Sequence, residues 1–134
     1  ALSMRWFGET VARINTSFPH WFTSGYKKWN DRERECPIDQ HQLIALIAPR
    51  PVLIHSATDD AWADPRGEYL GGLGAGPVYG RLGADGLTAK EWPAADQPVH
   101  SRIGYFLRTG KHDVLLADWR NYVAFADKHL GARK

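Results

Sequence analysis

The residues with the clearest chemical potential are an acid and a histidine that each follow a predicted strand. Asp60 follows the apolar run 51–56, and His112 follows the apolar run 103–108. Reacting groups of open α/β sheets lie on loops at the carboxyl ends of strands, so both residues stand where a site is expected. In serine hydrolases a histidine takes the proton of a serine hydroxyl, and a carboxylate orients the imidazole. The order of acid before histidine is compatible with that chemistry and predicts acyl transfer.

The same residues also fit simpler structural roles. His112 is compatible with an ordinary surface loop, and Asp60 with the capping of a turn. Asp64 precedes Pro65, which is typical of a helix N-cap. Trp62 stands among acidic residues and has no evident core, so we expect it to face a cleft.

No recognisable nucleophile accompanies this pair. None of the serines lies in a G-x-S-x-G elbow, and Ser56 leads from a strand into an acidic loop, so we expect a structural hydroxyl there. The single cysteine, Cys36, lies in a charged loop without an obvious base. The glycines between 71 and 76 match no nucleotide-binding pattern, and the histidines lack the spacing of a zinc site. We therefore expect no cofactor and no metal.

Strands alternate with helices along the chain, which predicts a parallel α/β sheet. Helices are expected over 5–17, 21–29, 37–48 and 114–130, and the apolar side of the last helix places Trp119 in the core. Over 65–82 the glycines predict a broken or irregular helix, because each costs about 0.5–1 kcal/mol relative to alanine. Two strands cannot bury both faces of a sheet. We therefore expect further strands from residues outside this chain.

The composition is that of a globular protein. Of the 134 residues, 43% are hydrophobic and 24% are charged, which excludes a disordered chain. The formal net charge is only +2 and the basic residues are scattered, which argues against nucleic-acid binding. The longest apolar run, 43–48, is far too short to span a membrane. Six Trp and five Tyr suit both protein cores and sugar-binding clefts.

Several short motifs occur along the chain in a fixed order. They are FPHWF at 18–22, PIDQHQL at 37–43, LIAPRPV at 46–52, DAWADP at 60–65, GKH at 110–112 and DW at 118–119. Together they resemble the glucuronoyl esterase family of carbohydrate esterases, in its bacterial-type branch. The resemblance runs across nearly the whole chain, and D-x-W-A-D-P and G-x-H followed by D-W are its most specific parts.

The resemblance implies a serine-dependent α/β-hydrolase, a three-layer sandwich with a mostly parallel central sheet. Residues 1–134 would be the C-terminal portion of that single domain. The family's nucleophile lies in a G-C-S-R-x-G-K segment, which we expect upstream of this chain, so the chain alone is expected to be inactive. The implied reaction is cleavage of the ester between the glucuronic acid of xylan and lignin alcohols. The substrate would be glucuronoxylan joined to lignin, and the location secreted or periplasmic.

The resemblance also implies roles for single residues. His112 matches the catalytic histidine, and Asp60 matches an acid found after the penultimate strand of some members. A glutamate upstream of this chain is the alternative acid. Trp62 matches a tryptophan that contacts the uronate sugar, and Glu9 is implied as a further substrate contact.

Two other functions fit the same residues. One is a different α/β-hydrolase, such as an acetyl-xylan esterase or a peptidase, with the same acid–histidine geometry. The other is a non-catalytic carbohydrate-binding remnant that uses Trp62 and neighbouring aromatic residues. The sequence leaves the oligomeric state open.

Overall fold

The computed structural model describes residues 7–131. Its elements are helices α1 (Val11–Ser17), α2 (Ser24–Lys27), α3 (Gln40–Ala45), α4 (Pro65–Arg81) and α5 (Leu116–Leu130), strands β1 (Val52–Ala57) and β2 (Ile103–Arg108), and a 3₁₀ turn over Glu33–Glu35. None of the helices in this range is both long and apolar enough to cross a bilayer.

The two strands pair in parallel, as the alternation of strands and helices predicts. The register runs from Val52 opposite Ile103 to Ala57 opposite Arg108. Both strands therefore end at the same level, and the loops that follow them leave the same edge. Because side chains alternate along a strand, each strand sends one set of residues to each face.

One face of the sheet packs against α4 and carries the core. Its buried members come from α4, β2 and the loop between them: Tyr69, Ala75, Tyr79, Leu87, Ile103, Tyr105 and Leu107. Each tyrosine hydroxyl also donates a hydrogen bond to a backbone carbonyl. The partners are Ala89 for Tyr69, Arg50 for Tyr79 and Pro65 for Tyr105, at 2.8–3.1 Å. The aromatic rings are thus buried without leaving an unpaired hydroxyl.

Helix α4 is continuous from Pro65 to Arg81, so the expectation of a broken helix was wrong. At Gly72 the absence of a side chain is explained by packing rather than by a break. A Cβ at Gly72 would lie 2.9 Å from Ile54 Cδ1 and 3.3 Å from Leu87 Cδ2. The missing side chain lets the helix approach β1 closely, and this contact offsets the poor helix propensity of glycine.

Helix α5 covers the opposite face, with Phe125 lying over Gly104 of β2. A Cβ at Gly104 would stand 2.7 Å from the Phe125 ring. The buried residues of α5 are Asp118, Asn121 and Phe125, which form one helical stripe. Trp119 lies on the neighbouring stripe and is 60% exposed, so its expected place in the core was wrong.

The outer edge of β2 is covered by the long loop that precedes it. Val99 and Tyr105 exchange two backbone hydrogen bonds of 2.8 and 2.9 Å, and the Asp96 amide donates to the Leu107 carbonyl at 2.7 Å. Among the described residues, β1 pairs with β2 alone. The sheet is therefore closed on the β2 side.

The first three helices are shorter than expected. Capping residues set the starts of α1 and α3, whereas Thr23 before α2 makes no side-chain capping hydrogen bond. Thr10 accepts a hydrogen bond from the Arg13 amide and begins α1, whereas Gly8 just before it has a φ of +83°. Asp39 begins α3 with a capping box: its side chain accepts from the Gln42 amide, and the Gln42 side chain accepts from the Asp39 amide at 2.7 Å. Residues 5 and 6 of the expected first helix lie outside the described residues.

The close approach at Gly72 gives a test of the packing of α4. We expect Gly72→Val to destabilise the protein by about 1–3 kcal/mol, because the added methyl groups collide with Ile54 and Leu87. Gly80 lies in the same helix with nothing near its Cβ position, so Gly80→Ala should stabilise by about 0.5 kcal/mol. Denaturant unfolding of both variants measures the difference. Equal effects would contradict the packing explanation.

Candidate active site

The loops that follow β1 and β2 are joined by three hydrogen bonds. The Thr58 amide donates to the Arg108 carbonyl at 2.9 Å, and the Asp59 amide donates to the Gly110 carbonyl at 2.9 Å. The Gly110 amide donates in return to Thr58 Oγ1 at 3.0 Å. Gly110 has a φ of +117°, a conformation that suits glycine. These contacts fix one loop against the other before any side chain of the site is considered.

Asp60 and His112 meet where these two loops meet. His112 Nδ1 lies 2.6 Å from Asp60 Oδ2, the distance of a strong hydrogen bond. The Asp60 side chain is 11% exposed, whereas the His112 side chain is 88% exposed. The second carboxylate oxygen of Asp60 accepts from the Ala63 amide at 3.3 Å. Asp60 therefore caps the turn and contacts the histidine at the same time.

The contact with Asp60 determines which way the two nitrogens of the His112 ring point. With Nδ1–H donating to Asp60, the lone pair of Nε2 is left on the opposite side of the ring. The exposed side of His112 faces two adjoining clefts of about 420 and 530 Å³. A hydroxyl brought to Nε2 in these clefts could give up its proton to His112, which is the arrangement of a general base.

Trp62 and Glu9 both line the larger cleft, together with His112. Trp62 is 52% exposed, and the Arg13 guanidinium lies 5.4 Å from the centre of its ring. The Glu9 amide donates to the Trp62 carbonyl at 3.0 Å. A Cβ at Gly8 would lie 2.5 Å from that same carbonyl, so only glycine allows this approach. The structure thus brings all four expected site residues to one cleft system.

Both clefts are also lined by a half-buried carboxyl group, Glu68, that the sequence did not single out. Glu68, in the first turn of α4, accepts a hydrogen bond of 2.6 Å from Ser56 Oγ. Burial raises the pKa of Glu68, and the nearby Asp60 and Asp64 raise it further. Ser56 is 5% exposed and its hydroxyl is used by Glu68, which agrees with a structural role. Asp64 caps α4 by accepting from the Gly67 amide, as expected.

Two further features of the site concern its possible ligands. Within residues 7–131, no group of three or more His, Cys, Asp or Glu side chains could hold a metal ion. The walls of the larger cleft carry several aromatic rings besides Trp62, and Phe18 and Trp21 are stacked with ring centres 4.0 Å apart. The site is therefore an acid–histidine pair beside an aromatic cleft.

Comparison with known proteins gives this arrangement a family. A family model described as glucuronyl esterase of fungi matches residues 6–83. The chain belongs to the glucuronoyl esterase family. A similar curated protein is a carbohydrate esterase from an unknown prokaryotic organism, 62% identical over 130 residues, which are 97% of this chain and 30% of that relative.

Solved structures agree with this glucuronoyl esterase assignment. A promiscuous CE15 esterase from the marine bacterial metagenome has a TM-score of 0.91 at 63% identity, over 92% of this chain and 31% of that one. A glucuronoyl esterase from Solibacter usitatus has a TM-score of 0.87 at 45% identity, over 93% of this chain and 32% of that one. The expected α/β-hydrolase fold is confirmed. The present chain spans about 30% of the length of these relatives.

The roles of the individual residues stay predictions, although their placement is now known. The sequence missed Glu68, and it missed Arg108 and Asp118 as neighbours of the His112 loop. Glu68 stands four residues after Asp64 at the start of a helix, where an acid is ordinarily a solvated partner of the helix dipole. No feature of the sequence indicated that Glu68 lines the clefts beside His112.

The raised pKa of Glu68 predicts how stability depends on pH. A raised pKa favours the neutral acid in the folded state, so its stabilising contribution is complete below about pH 4.5 and is lost as the pH rises through the folded value. We expect Glu68→Gln to raise the Tm of the intact protein at pH 7. The gain should shrink as the pH falls towards 4.5, as measured by differential scanning fluorimetry.

Glu91→Gln is the matched control for this experiment. Glu91 is an exposed residue of the loop before β2, so its substitution should leave the Tm unchanged at every pH. If the Tm of Glu68→Gln lies below that of the wild type by the same amount at every pH, the pKa of Glu68 does not govern the stability.

Proposed function

We propose that the protein is a carboxylic-ester hydrolase that cleaves glucuronate esters between the glucuronic acid of xylan and lignin alcohols. The observation that carries the proposal is the 2.6 Å contact between His112 and Asp60 at the ends of two parallel strands, in a chain of the glucuronoyl esterase family. The contact supplies two of the three groups of a serine hydrolase. The third, a serine, is proposed to lie outside these residues.

The proposed mechanism is acyl transfer in two steps. The serine hydroxyl loses its proton to His112 Nε2 as its oxygen attacks the uronate carbonyl. The ester bond then breaks, and His112 returns the proton to the departing alcohol, which leaves an acyl-enzyme. Water, deprotonated by His112, then attacks the acyl-enzyme, and the ester bond to the serine breaks. The serine recovers its proton and the uronic acid is released. Asp60 holds the Nδ1–H side of the ring throughout and stabilises the charged imidazole.

Trp62 and Glu9 are proposed to bind the sugar. A half-exposed indole offers a flat apolar surface on which a pyranose ring can pack, and the Glu9 carboxylate can accept hydrogen bonds from sugar hydroxyls. Both line the cleft that also contains His112. A uronate that stacks on Trp62 would therefore be in reach of the histidine side of the cleft.

Residues 1–134 are proposed to be the C-terminal portion of one α/β-hydrolase domain. The loop over residues 96–99 occupies the outer edge of β2, whereas β1 pairs with β2 alone among the described residues. Further parallel strands would add at the other edge of β1. Because the proposed substrate is a cell-wall polymer, we place the enzyme outside the cytoplasm, secreted or periplasmic.

Removal of the histidine tests the reaction. In the intact enzyme, we expect His112→Ala to lower kcat on a glucuronate methyl or benzyl ester by about 10³-fold or more, because the serine then has no base. His20→Ala, an exposed histidine of the loop between α1 and α2, should leave kcat unchanged. Esterase activity that survives in His112→Ala would remove the basis of the proposal.

Replacement of the acid tests which carboxylate orients His112. We expect Asp60→Asn to lower kcat by about 10²-fold or more, since the amide can neither fix the tautomer nor stabilise the imidazolium. Measurement of kcat at saturating ester gives the answer. A loss of less than tenfold would assign the orienting role to a glutamate outside the described residues.

A broader esterase is the second candidate. The reason is that a relative at 63% identity is described as a promiscuous CE15 esterase. Comparison of kcat/KM for glucuronate esters and acetylated xylan separates the two functions, because a pocket specific for the uronate discriminates strongly against an acetyl group. Sugar binding that is unaffected by His112→Ala, without any hydrolysis in the wild type, would instead indicate a non-catalytic binding protein.

A further inference from the structure

A buried arginine lies behind the His112 loop, and the acid–histidine pair does not account for it. Arg108 is the last residue of β2, and its side chain is on the α5 face, 4% exposed. Its guanidinium donates to the carbonyls of Thr109 at 2.9 Å, Lys111 at 2.5 Å and Asp113 at 3.1 Å. These carbonyls lie on both sides of His112. One planar group therefore connects the backbone before the histidine with the backbone after it.

Asp118 holds the other side of this guanidinium. Its carboxylate is fully buried, and Arg108 Nε lies 3.1 Å from Asp118 Oδ2. The same oxygen accepts a hydrogen bond of 2.6 Å from the Leu115 amide, which fixes Asp118 to the start of α5. The loop that carries His112 is thus tied to the strand before it and to the helix after it.

The second oxygen of Asp118 faces His55 of β1. His55 Nε2 lies 3.1 Å from Asp118 Oδ1, and the Tyr122 hydroxyl lies 2.5 Å from His55 Nδ1. Burial lowers the pKa of His55, the neighbouring Arg108 lowers it further, and Asp118 opposes both. A neutral His55 leaves Arg108 as the charge that balances Asp118.

A purely stabilising role is a poor explanation for the buried cluster of Arg108, Asp118 and His55. A buried ion pair is often no more stabilising than apolar residues of the same volume, because both charges lose their hydration. The fork of an arginine is suited to fixing several acceptors in one plane, which an apolar side chain cannot do. The His112 ring is 88% exposed, and its hydrogen bond within residues 7–131 is to Asp60. Apart from the contact with Asp60, the position of the ring must therefore come from the backbone of His112.

We propose that Arg108, held in place by Asp118, is a positioning residue for His112. The inference rests on the catalytic role proposed above for His112. Arg108 fixes the carbonyls on both sides of the histidine and thereby keeps Nδ1 at hydrogen-bond distance from Asp60, with Nε2 directed at the cleft.

The test is made in the intact enzyme with Arg108→Lys. Lysine keeps the positive charge beside Asp118 but replaces the fork by a single ammonium group, so the loop loses part of its support. We expect kcat to fall roughly 10- to 100-fold while KM stays within about twofold, because a displacement of the base by about 1 Å affects the chemical step. Arg108→Met and Asp118→Asn should lower kcat in the same way.

Arg102→Met is the matched control, since Arg102 immediately precedes β2 at its other end. This variant removes an arginine from the same strand region without touching the His112 loop, and kcat should stay unchanged. Circular dichroism at the assay temperature shows which variants are folded. If Arg108→Met does not fold, Arg108→Lys and Asp118→Asn still test the inference.

A double-mutant cycle separates positioning from general stability. In a His112→Ala background there is no base to position, so Arg108→Lys should change the residual rate by less than about twofold. A loss of the same factor in both backgrounds would overturn the inference, as would a wild-type kcat for Arg108→Lys. Esterase activity that does not depend on His112 would instead overturn the proposed function. The two failures are therefore distinguishable.

Discussion

The parallel pairing of β1 with β2 is the interaction on which the rest of the structure depends. In this pairing Ile103, Tyr105 and Leu107 face α4, whereas His55 and Arg108 face α5. The pairing also ends both strands at one level, so that the loops of Asp60 and His112 meet. A slip of one residue would turn every side chain of β2 to the other face, and Arg108 would then enter the apolar core.

The polar groups beneath the site are divided between the two faces of the sheet. On the α4 side, Glu68 has the Ser56 hydroxyl as its partner and a raised pKa. On the α5 side, Asp118 faces a guanidinium. Glu68 is half-buried and is accommodated by favouring its neutral form, whereas the fully buried Asp118 is accommodated by a counter-charge. The acid–histidine pair thus lies between two carboxyl groups whose charges are compensated in different ways.

The strands, the layer order and the acid–histidine pair could be predicted because each leaves a local pattern. Short apolar runs between loop segments predicted both strands to within one residue. The prediction for helix α4 was wrong because helix propensity treats Gly72 as destabilising. In the fold, Gly72 allows the helix to pack closely against Ile54, which is remote in sequence. Trp119 was misplaced because the buried stripe of α5 contains Asp118, which a hydrophobic pattern assigns to solvent. Arg108 was missed for the same reason.

The wall of the larger cleft is positioned by main-chain atoms. The Glu9 amide bonds the carbonyl of Trp62, and Gly8 allows the two backbones to touch. Neither contact depends on the indole or on the carboxylate. The side chains that face the cleft are therefore free to be exchanged while the wall keeps its shape. Such an arrangement separates the architecture of a cleft from its selectivity, so that point substitutions can change the lining of the cleft without rebuilding the fold.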